Sequence, residues 1–219
     1  MMPAKQETPD ALLFIAPGCP HCPTVLAGMG ELVKQGLVGR LEVINIAVHP
    51  ERAAALGVRS VPWLRLGELE LHGLHSPAEL RRWAQQANTA EGLAEFFSEQ
   101  LKSGRLAQVT AMVSRQPEHL SALLALAADP DAELPVRIGV SAVVEELAGG
   151  EALVAQLPAL KRLAANGDPR VRADACHFLA LTASPDALPA LEALAADNAR
   201  SVSDIARECL AELHEKMQE

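Results

Sequence analysis

A ten-residue phrase recurs three times in the second half of the chain, as LSALLALAAD at 120–129, LPALKRLAAN at 157–166 and LPALEALAAD at 188–197. A second phrase keeps step with it, opening at Val136 (VRIGVSAVVEEL), Val171 (VRADACHFLALT) and Val202 (VSDIARECLAEL). The first phrase is spaced by 37 and 31 residues and the second by 35 and 31. Polar turns at Asp129-Pro130, Asp168-Pro169 and Asn198 separate one phrase from the next. A helix pair of this size cannot bury its apolar stripe alone, so neighbouring pairs must stack. Residues 117–219 are therefore expected to form an all-helical array. The segment 89–116 is expected to hold two connecting or capping helices, AEGLAEFFSEQLKS and RLAQVTAMVSRQ. Phe96 and Phe97 either cap the array or pack the first of these helices against the other half.

Composition agrees with a helix-rich chain. Apolar residues make up 49% of the 219, enough for packed cores, while aromatics are 3% and Tyr is absent, which favours helices over a β-sandwich. No apolar run reaches the length of a membrane span. The opening MMPAKQETPDALLFIAPG has one Lys, two early acids and only a short apolar run before Pro17, which does not make a secretory signal, so a cytoplasmic location is expected. Four cysteines in that setting point to catalytic or buried thiols rather than a disulfide scaffold. Charge is uneven: residues 1–88 hold eight basic and eight acidic side chains, whereas 89–219 hold eleven and twenty, so the whole net charge of −9 lies in the second part. That balance argues against a nucleic-acid partner, whose affinity rests on basic contacts. It leaves a basic-faced protein partner or a solubilising surface.

The first 88 residues have a different grammar. Leu12–Ala16 is a short apolar run, and a helical stretch follows from Pro20 to about Gln35, with Val25, Leu26, Met29, Leu32 and Val33 on one stripe. RLEVINIAVH reads as a buried strand, PERAAALG as a short helix stopped by Gly57, and VPWLRLGELELHG as two strands joined at Gly67-Glu68. SPAELRRWAQQA reads as a helix with Ser76 as N-cap and Pro77 at its first position. The order is βαβαββα.

Within this half, Cys19-Pro20-His21-Cys22 falls after the first strand and at the mouth of the first helix. Unpaired N–H groups and the positive end of the helix dipole favour a thiolate there, and His21 can add positive charge or a hydrogen bond. The spacing also suits half of a metal site. A tetrahedral centre would need two further ligands, and Cys176 and Cys209 lie far along the chain. The histidines show no metal-ligand spacing, and no cofactor is implied.

Two resemblances follow from these motifs. Residues 10–87 resemble the thioredoxin superfamily in its compact, glutaredoxin-like form. Besides the dithiol, GVRSVPWLRLG at 57–67 looks like that family's cis-proline segment, with Pro62 as the proline, and Gly73 looks like its glycine before the last helix. The repeats resemble the HEAT-like repeats of phycobilin-lyase-type proteins. The overall expectation is an α/β thioredoxin-like domain over 1–88 followed by an all-α HEAT-like solenoid.

The first resemblance implies a mechanism. Cys19 would attack and form a mixed disulfide, Cys22 would resolve it, and Pro20 and His21 would tune the pair. Val61, Pro62 and Trp63 would present a groove to a substrate strand, although Trp63 serves equally well as a core aromatic. The Pro-His pair resembles the centres of disulfide-introducing oxidases, whose reduced form is stabilised, which favours a role with particular substrates over general disulfide reduction. Position 13, where those proteins carry a buried acid, holds Leu here. Proton transfer to Cys22 would need Glu42, water or another group. By alignment of the repeats, Cys209 is expected in the core and Cys176 at a more exposed position.

The reading is a thiol–disulfide oxidoreductase whose repeats dock a specific protein substrate, recycled by a thioredoxin-reductase-like or glutathione system, with no nucleic acid and no membrane. The alternative is a non-catalytic scaffold or adaptor whose Cys-x-x-Cys is structural or metal-binding.

Overall fold

The computed structural model describes residues 8–216. The chain divides into two compact units, the first ending at Leu93 and the second beginning at Ala94, a little beyond the expected boundary at Asn88.

The first unit has the expected order, β1 (Asp10–Ile15), α1 (Cys22–Lys34), β2 (Arg40–Asn45), α2 (Pro50–Ala55), β3 (Trp63–Leu66), β4 (Leu69–His72) and α3 (Pro77–Gln86). The sheet runs β2-β1-β3-β4, with β1 parallel to β2 and antiparallel to β3. The central strand β1 carries DALLFI, apolar on both faces, as a strand covered from both sides must be. Leu12 and Phe14 face Ile44, Ala53 and Trp63, so α2 covers that side. Pleating sends Leu13, which is fully buried, to the other side, covered by the packed pair α1 and α3. A Cβ on Gly28 would stand 2.7 Å from Leu80 Cδ1, so glycine at that point sets how closely α1 and α3 approach.

Local chemistry closes each element. Ser76 Oγ accepts from the Glu79 N–H while the Glu79 carboxylate accepts from the Ser76 N–H, a capping box that starts α3 with Pro77 in its first turn. Gly67, at φ +54, turns the β3–β4 hairpin in a conformation open to few other residues. The start of α1 departs from expectation. It begins at Cys22 rather than Pro20, and the proline in its first turn is Pro23. Pro20 and His21 belong to the turn before the helix, with His21 as N-cap.

The second unit is entirely helical among the described residues. α4 (Ala90–Lys102) runs into it across the unit boundary, and α5 (Leu106–Arg115) follows. Three helix pairs then match the repeated phrases: α6 (Leu120–Ala127) with α7 (Leu134–Glu146), α9 (Leu157–Ala164) with α10 (Pro169–Leu181), and α11 (Leu188–Leu194) with α12 (Arg200–Lys216). The short α8 (Glu151–Val154) is inserted before α9, which explains why the first spacing exceeds the second. Pairs stack on their neighbours through α6 on α9, α9 on α11, α7 on α10 and α10 on α12. Phe97 is fully buried with its ring edge-on to His119 at 6.1 Å, so this part of α4 caps the first pair.

Polar side chains register one pair on the next. Arg137 Nη2 donates to Asp174 Oδ2 at 2.6 Å, and Arg172 grips Asp197 through Nε and Nη2 at 2.7 and 2.9 Å. Arg137 and Arg172 occupy equivalent places in the second phrase, so the same side chain links successive units. No helix among the described residues is long and apolar enough to cross a membrane.

Candidate redox-active site

The dithiol lies at the end of the sheet where β1 and β2 finish. Gly18, at φ +76, turns the chain after β1 and brings Cys19 to the mouth of α1. Cys19 and Cys22 are joined as a disulfide, with Cα atoms 5.5 Å apart. Cys19 is half-buried, while Cys22, on the first turn of α1, is only 5% exposed. Of the two cysteines, Cys19 is thus the more accessible to an incoming thiol or disulfide. The Cys22 N–H donates to Cys19 Sγ at 3.1 Å. This is one of the helix-start N–H groups with no intrahelical acceptor, and it stabilises negative charge on Cys19 when the bond is open. His21 and Pro20 are exposed beside the pair, and no hydrogen bond ties the imidazole to the helix start.

Val61, just before the neighbouring strand β3, meets the dithiol at this end of the sheet. The Val61–Pro62 peptide bond is cis, as the thioredoxin resemblance implies, and the Val61 carbonyl oxygen lies 3.7 Å from Cys19 Sγ. The Pro62 carbonyl accepts from the Gly73 N–H at 2.9 Å, which ties the exit of β4 to the same end. Trp63 lies elsewhere. Its ring is 2% exposed and packs on Phe14 at 5.6 Å, so it is a core aromatic, and its side chain forms no groove wall. Sequence reading passed over two exposed apolar residues at this end, Val48 at 65% and Leu74 at 52% exposure. Val48 follows β2, where Ile46 N–H bonds to Ile15 O, and Leu74 follows Gly73. The available signal was their position immediately beyond strand ends that converge on the dithiol.

Glu42 does not serve Cys22. It pairs in register with Leu12, on the face covered by α2, and its carboxylate is bound by the Arg52 guanidinium, which holds it below the usual carboxylate range. Leu13 is fully buried between Val43 and Leu64, so no acid occupies the position behind the dithiol.

Cys209 is buried, as its repeat position predicts. Cys176 corrects the sequence reading: it is fully buried, whereas its counterparts Ser141 and Arg207 are half-buried and exposed. The reason is its place in the stack. α10 belongs to the middle pair and is packed by α7, α9 and α12, so a position left open on an outer pair is covered there. The Cys176 Sγ lies 3.3 Å from the Arg172 carbonyl oxygen, and burial, with Cys209 nearby, pushes its thiol up to about 12. Among the described residues, no three His, Cys, Asp or Glu side chains gather closely enough to hold a metal ion.

Comparison with curated proteins gives no match. Comparison with protein-family models matches residues 12–85 to the family described as Thioredoxin domain. That span begins in β1 and ends in α3, and it contains the dithiol, the cis-proline and all of β2, β3 and β4. The first unit of this chain is therefore a thioredoxin domain, with its cysteine pair at Cys19 and Cys22.

Proposed function

We propose that the protein is a thiol–disulfide oxidoreductase of the cytoplasm, with a helical, HEAT-like repeat half that docks a specific protein substrate. The observation that carries this reading is the arrangement at Cys19: an accessible sulfur receiving the Cys22 N–H, beside the Val61 carbonyl and in bonding reach of a shielded second sulfur. Val48 and Leu74 add exposed apolar surface at the same end, suited to a polypeptide rather than a small polar thiol.

In the reducing direction, the Cys19 thiolate attacks one sulfur of a substrate disulfide. A Cys19–substrate bond forms, the substrate disulfide breaks, and the leaving sulfur departs as thiolate and takes a proton. Cys22, deprotonated, then attacks Cys19 Sγ. The mixed disulfide breaks, the second substrate thiol leaves, and the Cys19–Cys22 disulfide remains, so two electrons pass from dithiol to substrate. Run backwards, the same steps donate a disulfide. With Leu13 behind the pair, water takes the Cys22 proton. A thioredoxin-reductase-like or glutathione system resets the pair. Docking by the repeats raises the local concentration of the substrate at Cys19.

The test is Cys22→Ser in the full chain, which removes the resolving step. Covalent complexes on Cys19 that dissolve in reductant are expected. Failure to trap any protein, together with absence of reversible oxidation of the wild-type pair, overturns the reading.

A further inference from the structure

A groove of about 330 Å³ runs between α6 and α9, the first helices of two adjacent pairs. Ala125 and Ala128 line one side, Ala159 and Arg162 the other, and Leu124 and Leu163 form a buried floor. The small walls leave room for a main chain to approach. Asn166 fixes the width of the groove, since its Nδ2 donates to Ala128 O at 3.3 Å while its Oδ1 accepts from the Asp168 N–H at 2.9 Å.

One strong polar group in this groove is unspent. The Ser121 hydroxyl already donates to Glu118 O at 2.9 Å, but the Arg162 guanidinium is exposed and meets no acceptor. This is unusual for its setting. From Ala94 onward, Lys102, Arg137, Arg170, Arg172, Arg200 and Arg207 each meet a carboxylate, and Arg105 and Arg115 bond to Gln100 and a backbone carbonyl. Of the basic residues of this unit whose side chains are described, Lys161 and Arg162 meet none, although residues 89–219 carry twenty acids. An arginine left unpaired amid excess negative charge, on the rim of an apolar groove, matches an occupant that supplies its own carboxylate.

We propose that this groove binds a segment of the partner protein that places an Asp, Glu or C-terminal carboxylate on Arg162 and small apolar side chains over Leu124 and Leu163. The proposal rests on the reading that the helical half docks protein, and it names where and by what chemistry. The planar guanidinium accommodates a carboxylate through two parallel hydrogen bonds, which gives orientation as well as affinity. The surrounding negative field disfavours acidic sequences elsewhere on the unit, apart from Lys161 beside Arg162.

The test uses the full-length protein, immobilised and panned against a random-peptide phage library. The peptides expected to enrich carry an acidic residue flanked by Ala, Val or Leu. Once synthesised, the best of them should bind Arg162→Glu and the groove-filling Ala125→Trp about tenfold more weakly than wild type by fluorescence anisotropy. Both changes are at exposed positions, and unchanged thermal melting confirms the fold. The proposal is overturned if no peptide enriches, if the enriched peptides are basic, or if the best binds Arg162→Glu as tightly as wild type. Panning does not involve the dithiol and is repeated on Cys19→Ser/Cys22→Ser, while trapping on Cys22→Ser does not require this groove. Each reading can therefore fail without the other.

Discussion

Cys19 and Val61 stand 42 positions apart in the chain, yet the Cys19 sulfur lies 3.7 Å from the Val61 carbonyl oxygen. The contact follows from the sheet. β1 delivers Cys19 just beyond its last residue, and β3, antiparallel to β1, begins immediately after Val61-Pro62 at the same end. The polar neighbours of the Cys19 sulfur are thus main chain: the Cys22 N–H on one side and the Val61 C=O on the other. Side-chain substitutions around it should alter access and charge more than they alter this frame.

The sulfurs should separate sharply in reactivity. Cys19 is reachable, whereas Cys176 is fully buried with its thiol pushed up to about 12, and Cys209 is 5% exposed. Native protein with an oxidised dithiol should show no thiol reactive towards an aromatic disulfide reagent at pH 8. Prior reduction should expose one reactive thiol, Cys19, and denaturant should add Cys22, Cys176 and Cys209. Rapid labelling of Cys176 in the native oxidised protein would contradict its burial.

Two glycines of α1 should respond in opposite directions to the same change. Gly28→Ala drives a methyl group to 2.7 Å from Leu80 Cδ1 in the α1–α3 contact and should destabilise the domain by about 1–3 kcal/mol. Gly30→Ala meets nothing within 4 Å and should stabilise by up to about 1 kcal/mol through helix propensity. Urea unfolding of the two variants measures both; equal signs would refute the assigned helix contact.

The arginines of the repeats should also divide. Arg172 holds Asp197 with both side chains largely buried, at 17% and 11% exposure, so Arg172→Ala should cost about 1–3 kcal/mol by leaving that carboxylate unpaired. Arg162→Ala removes no partner and should stay within about 0.5 kcal/mol. Chemical denaturation followed by helical circular dichroism distinguishes them.

Acid should weaken the helical unit in a defined way. The Arg170 guanidinium and backbone N–H groups hold the Asp168 carboxyl at about 2, below its ordinary 3.8, and Arg172 lowers Asp197 in the same sense. A depressed carboxyl contributes stability that is complete above its unfolded value and is lost as pH falls through the folded value. For Asp168 that window runs from just above 3.8 down to about 2. Asp174 works the other way: burial raises it even though Arg137 pairs with it, so protonation relieves rather than harms the folded state. Arg170→Ala should therefore flatten the fall in stability across the Asp168 window, as measured by urea unfolding at stepped pH. An unchanged slope would remove Arg170 as the cause.

Much of this protein is written in short-range pattern. The β-branched and apolar runs, Ser76-Pro77 and the glycines at 57, 67 and 73 mark the elements of the thioredoxin domain because caps, turns and strand alternation depend on neighbours a few residues away. The recurring phrases mark the helix pairs for the same reason, since each pair repeats the stripe it must bury. That Cys19 is half-buried while Cys22 is buried follows from their places at a helix mouth and on the helix's first turn.

What the sequence leaves open depends on groups brought together from afar. Only packing decides that Trp63 fills the core against Phe14, that Glu42 is spent on Arg52, and that Cys176 vanishes beneath neighbouring helices. The sequence determines which elements form and in what order, because local propensity and periodicity suffice for that. The tertiary structure decides which side chains are left free to act, because burial and pairing are settled by partners dozens of residues away.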